Sequence, residues 1–109
     1  MNTKSPLTLV KQLQADILRI IRSIDVADLS TAQQKILSEL TNDLFDTRLE
    51  IMDYESAESR ADRHQPARLA KLRLARIDKT ITSGKLEMFG PVDVVHTSAY
   101  IEQIQEKLR

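Results

Sequence analysis

The sequence predicts an all-α protein, an antiparallel four-helix bundle, and three observations carry that expectation. Only two glycines and three prolines occur in 109 residues, so few positions break a helix. Apolar residues recur at spacings of three and four in four separate segments, the period of a helical face rather than of a strand. Each segment is bounded by residues that start or stop helices. Composition agrees: 41% hydrophobic and 29% charged residues belong to a globular chain. The length suits a single domain with a modest core.

The first helix is expected over residues 6–24. Ser5 supplies the N-cap, and Pro6 takes the first helical position, where its missing N–H has no partner to lose. Val10, Leu13, Ile17, Ile20 and Ile24 form the apolar row, widened by Leu18 and Ile21. The connection over residues 25–29 is short, so the second helix should return antiparallel.

That second helix is expected over residues 30–63. Ser30 and Gln33 fit a capping box, each satisfying one free backbone donor. Ile36, Leu37, Leu40, Leu44, Phe45, Leu49, Ile51 and Met52 are its expected core-facing residues. Lys35, Glu39, Asn42, Asp43, Asp46, Glu50 and Asp53 line the other face. From Tyr54 to His64 the residues are charged or small and offer little to bury. At 1.5 Å per residue such a helix reaches ~50 Å, against ~27 Å for the first. Its distal half should therefore project with the third helix as a hairpin arm.

Pro66 cannot donate within a helix and pushes Gln65 out of the α region. The row Ala67, Ala70, Leu74, Ile77 and Ile81 is also out of phase with that of the second helix. A turn over 64–66 is expected rather than one kinked rod, with a third helix over 66–83 and Gly84 as its left-handed C′ residue. The fourth helix is expected over 91–108. Phe89 precedes its cap Gly90, Pro91 sits at N1, and Asp93 complements the helix dipole. Phe89 and Val94 form a hydrophobic staple. Val94, Ile101, Ile104 and Leu108 continue the buried stripe.

Sixteen basic residues balance sixteen acidic ones, yet the two are unevenly placed. Residues 39–58 hold seven acidic and one basic residue, and residues 60–85 hold eight basic and two acidic. In an antiparallel hairpin Glu58 would come level with Lys71 and Arg73, and Glu50 and Glu55 with Arg76 and Lys79. Exposed pairs of this kind are worth about 0–1 kcal/mol each, so they set orientation more than stability.

These residues exclude much chemistry. A chain without cysteine has no disulfide, thiol nucleophile or thiolate metal site. Two glycines cannot build a phosphate-binding loop, and no serine stands in a nucleophile-elbow context. Asp93 and His96 are spaced like half of a bundle metal site. The other histidine, His64, follows Ala61 where a second carboxylate would be needed, so no metal or cofactor is expected. Asp43, Asp46, Glu50 and Asp53 read as a solvated face, since calcium needs a wrapping loop. Lys4, Lys11 and Asp16 interrupt any apolar run near the N-terminus, and no segment has the ~20 apolar residues of a membrane span. A cytoplasmic protein without membrane attachment is expected.

Two interaction surfaces remain. Arg60, Arg63, Arg68, Lys71, Arg73, Arg76 and Lys79 could neutralise phosphates, but no aromatic residue interleaves with them to stack bases. The 86–89 segment, Leu86-Glu87-Met88-Phe89, is apolar where a polar connector is expected.

The segments Leu49-Glu50-Ile51-Met52-Asp53-Tyr54-Glu55-Ser56-Ala57-Glu58-Ser59-Arg60 and Phe89-Gly90-Pro91-Val92-Asp93-Val94-Val95 resemble parts of small, poorly characterised helical proteins of cyanobacteria. The resemblance covers about a third of the chain and implies a small cytoplasmic, regulatory protein, with no active site to carry over.

The functional expectation is a non-enzymatic interaction or regulatory module docking on a larger protein or enzyme. Its expected contacts are Tyr54, Glu55, Glu58, Arg60, Arg63, Arg68, Arg73, Arg76, Met88 and Phe89. A homodimer formed through the arm is expected as well. The alternative is nucleic-acid binding by the basic third helix.

Overall fold

A computed structural model describes residues 5–22, 26–85 and 94–108. Among these the chain forms four α-helices: α1 (Pro6–Arg22), α2 (Thr31–Ser56), α3 (Arg60–Thr82) and α4 (Val94–Lys107), with a 3-10 turn at Val26–Asp28 before α2. No strand occurs among the described residues. Each helix packs on its sequence neighbour and α4 closes back on α1, with α2 and α3 sharing the most extensive interface. This is the antiparallel four-helix bundle expected from the periodicity.

The caps form as the sequence predicts. Ser5 Oγ accepts from the Thr8 backbone N–H at 3.2 Å. Ser30 Oγ accepts from the N–H of Gln33 at 3.2 Å while Gln33 returns its side-chain oxygen to the Ser30 N–H at 2.8 Å. Gly84 ends α3 with a φ of 79°, the left-handed conformation that glycine adopts without a Cβ clash.

One apolar row from each helix meets in the core. α1 contributes Leu9, Val10, Leu13 and Ile17, and α2 contributes Leu40, Leu44 and Ile51. Ala67, Ala70, Leu74, Ile77 and Ile81 come from α3, and Ile101, Ile104 and Leu108 complete the core from the last segment. Thr47 is fully buried among them. Its hydroxyl is satisfied by donating to the Asp43 carbonyl at 2.6 Å, the usual way a threonine is carried inside a helix.

The structure corrects the sequence reading in three places. The turn between the second and third helices falls at 57–59, not at 64–66, so α2 is about 39 Å long rather than ~50 Å. Ser59 caps α3 by accepting from the Asp62 N–H at 3.1 Å. Pro66 is then carried inside α3, in its exposed second turn, where one lost backbone bond is tolerable. The earlier turn also shifts the hairpin register. Arg73 meets Asp46 and Glu50, and Arg76 meets Asp43, instead of Arg73 meeting Glu58 and Arg76 meeting Glu50. Finally, Phe45, Leu49 and Met52 do not face the core; they lie exposed on α2. Leu40, Leu44, Thr47 and Ile51 already fill the side between α1 and α3, and a second stripe cannot share it.

The hairpin arm is consequently shorter than expected. The N-terminus of α1 reaches the end of α2, where the Leu7 N–H donates to Glu55 at 3.2 Å. The part with little packed on it is the tip, residues 57–66. The expected ends of the first helix (23–24) and start of the fourth (91–93), with the Phe89–Val94 staple, lie outside the described residues.

Candidate docking groove

Helix α4 is the reason a site exists. Gln105 of α4 donates to the Lys71 carbonyl at 3.5 Å, and Ser98 donates to Asp78 at 2.7 Å, which sets α4 antiparallel beside the C-terminal part of α3. The described part of α4, Val94–Lys107, lies against the later turns of the 23-residue α3. Beside Leu108, over the first turns of α3, the described residues line a groove of about 640 Å³.

Its floor is apolar and its rim is cationic. Ala67, Leu72, Ala75 and Leu108 provide aliphatic surface, with Tyr54 of α2 as the aromatic wall. Arg60, Arg63, Arg68, Lys71 and His64 stand around it, and among the described residues no carboxylate lines it. On α3 the residues 60, 64, 67, 71 and 75 follow one another at helical spacing, so one face of one helix supplies most of the site.

Tyr54 is held from two sides. Its hydroxyl donates to the Lys107 carbonyl at 3.3 Å, tying α2 to the last turn of α4. The Arg63 guanidinium lies 5.6 Å from the centre of its ring, a cation–π distance. The phenol thus fixes the corner where three helices meet, and Arg63 is drawn over the mouth of the groove. Among the described residues no carboxylate pairs with Arg60, Arg63, Arg68 or Lys71.

The basic stretch of the sequence is therefore divided into two populations. Arg73 and Arg76 point toward α2: Arg73 reaches Asp46 at 3.4 Å and Glu50 at 3.9 Å, and Arg76 bonds Asp43. Both are ion-paired to α2, Arg73 half-buried and Arg76 still exposed. Arg73 also keeps a buried Nε without a partner, a modest cost of holding two carboxylates at once.

Of the ten residues singled out from the sequence, the structure gathers Tyr54, Arg60, Arg63 and Arg68 in the groove. Glu55 is turned to α1, where it supplies negative charge at that helix's N-terminus. Glu58 is exposed on the tip but does not line the groove. Met88 and Phe89 lie outside the described residues. His64, Leu72, Ala75 and Leu108 were not anticipated, and Lys71 was named only as part of the basic row of the third helix. Their signal was present in the spacing along α3, but only the packing of α4 shows which turns line the groove.

Among the described residues no group of three or more histidine, aspartate or glutamate side chains is arranged to hold a metal ion. No described helix is long and apolar enough to cross a membrane. Compared with models of known families, with curated proteins and with solved structures, the chain shows no match.

Proposed function

We propose that this chain is a non-enzymatic interaction module, a cytoplasmic regulator that docks on a larger protein through the groove at the end of α4. The observation that carries this reading is the pairing of an aliphatic floor with a rim of four cations, with no carboxylate among the described residues that line it. That surface suits an acidic segment with apolar side chains, presented by a partner as a short helix. Apolar anchors would fill the floor while carboxylates met the rim, giving both affinity and orientation.

Nucleic-acid binding is the rival reading, and two observations weigh against it. Arg73 and Arg76 are engaged by carboxylates of α2, which reduces the charge available for phosphates. The groove floor is aliphatic, and among the described residues Tyr54 and His64 are the ring side chains that line it, whereas single-strand binders stack successive bases on several aromatics.

Fluorescence anisotropy separates the two. The probes are a labelled helical peptide alternating glutamate and leucine faces, a single-stranded RNA and a DNA duplex. The peptide should bind, and Arg63→Glu with Arg68→Glu should abolish its binding while far-UV circular dichroism stays unchanged. Binding of the nucleic acids that is tight and falls steeply with salt, with no binding of the peptide, would replace the docking reading.

A further inference from the structure

The exposed stripe on α2 has a partner, and we infer that it is the same stripe on a second copy of this chain, with the two α2 helices parallel across a two-fold axis. Phe45, Leu49 and Met52 are 55%, 44% and 46% exposed. Their spacings of four and three make one row down the outer side of a 26-residue helix. Asn42 and Ser38 extend it toward the N-terminus and Ser56 toward the C-terminus. In heptad terms Asn42, Leu49 and Ser56 occupy one core position, and Ser38, Phe45 and Met52 the other. An isolated apolar residue on a surface needs no explanation; three in a seam do.

Charge chooses the occupant and its direction. Around Leu49 the stripe runs between two edges of opposite sign, with Glu55 farther along the α1 side at the N-terminus of α1. On the α1 side stands Arg48, whose Nη1 donates to Gln14 at 3.2 Å, with Lys11 and Arg22 beside it. On the α3 side stand Asp46, which reaches Arg73, and Asp53, which makes no ion pair among the described residues. A two-fold axis along the helices lays the basic edge of one copy against the acidic edge of the other. Arg48 then lies five positions before Asp53 of the partner subunit, the register in which flanking charges pair across a parallel seam. The antiparallel arrangement would set basic edge against basic edge and is disfavoured. Asn42, the polar member of the seam, has the character of a residue that holds register at some expense of affinity.

This relocates the homodimer expected from the sequence. That expectation placed it on the hairpin tip, where the groove rim would meet another set of cations. The seam lies on the opposite side of α2 from Tyr54, so a dimer formed through it leaves both grooves open. Whether the groove takes a peptide has no bearing on whether the seam pairs, and each can fail alone.

Sedimentation equilibrium of the full chain tests the inference. A monomer–dimer equilibrium is expected, and Leu49→Glu should leave only monomer with an unchanged circular dichroism spectrum. Arg48→Asp or Asp53→Arg alone should weaken the dimer by about tenfold through two symmetry-related pairs, and the double exchange in one chain should restore it. The chain has no cysteine, so Ser38→Cys gives a single thiol that should form an intermolecular disulfide across the two-fold on mild oxidation. A chain that is monomeric at every concentration, or a dimer indifferent to Leu49→Glu, overturns the seam. A dimer in which the charge exchange fails to rescue, or Ser38→Cys fails to cross-link, overturns the parallel arrangement.

Discussion

Asp43 of α2 accepts from Arg76 of α3 through both carboxylate oxygens, Nε reaching Oδ2 at 3.4 Å and Nη2 reaching Oδ1. The two partners are unequal: the Asp43 side chain is 11% exposed and that of Arg76 is 64% exposed. Removing one partner is therefore not equivalent to removing the other. In Arg76→Ala a nearly buried carboxylate is left unpaired, at a cost of about 1–3 kcal/mol. In Asp43→Ala the guanidinium returns to water, at about 0–1 kcal/mol. Urea denaturation of the two variants should show this order, and equal losses would mean that the pair behaves as an ordinary surface bridge.

Neighbouring apolar residues on α2 should respond in opposite ways. Leu44 is fully buried, and Leu44→Ala should destabilise by about 2–5 kcal/mol through lost transfer and cavity terms. Phe45→Ala, measured in dilute monomer, should change stability by no more than about 0.5 kcal/mol. A large loss for Phe45→Ala would place that ring against the core.

The α2–α3 turn gives a pair of backbone predictions. Ser59→Ala removes the acceptor of the Asp62 N–H and should cost about 1 kcal/mol. Pro66→Ala supplies the N–H that α3 lacks at that turn. After allowance for the freer unfolded chain it should stabilise by about 1–2 kcal/mol. Thermal melts of the two single variants, moving in opposite directions, would verify that 57–59 is the turn.

Alkaline stability should depend on Tyr100. Desolvation raises the pKa of its phenol above the ordinary value, and the negative charge of Asp16 raises it further. The unfolded chain thus loses this proton first as pH climbs. The contribution is fully present below about pH 10 and is lost as pH rises through the folded value. Tyr100→Phe should flatten the fall in urea midpoint as pH climbs past about 10. An equally steep fall in the variant would assign the alkaline loss to other groups.

The sequence also shows where its own legibility ends. Ser30 with Gln33, Ser5 with Pro6, and Gly84 could be read directly, because a cap is a bargain among residues a few positions apart. Apart from Leu9, the buried residues described on α1, α3 and the last segment were legible for a similar reason: helical period is a local property. The turn was misplaced because Pro66 is a strong breaker in isolation, whereas Ser59 and Asp62 form a start signal that the exposed tip allows to prevail. Tyr54, Arg60, Arg63 and Arg68 could be named as contacts from their lack of anything to bury, though not assembled into a groove.

The sequence by itself determined that this chain is helical, which residues recur at helical period and where α1 and α2 begin. Only the tertiary structure decided which charges are spent inside the fold and which remain outside. Helical period assigns residues to faces, but which face is covered depends on the length and position of neighbours distant in sequence. Arg73 and Arg76 are engaged because α2 lies beside them, and Arg63 and Arg68 edge the groove because the described part of α4 packs on the later turns of α3. For the same reason Phe45, Leu49 and Met52, apolar like the rest, face outward, since α1 and α3 pack on the other side of their helix.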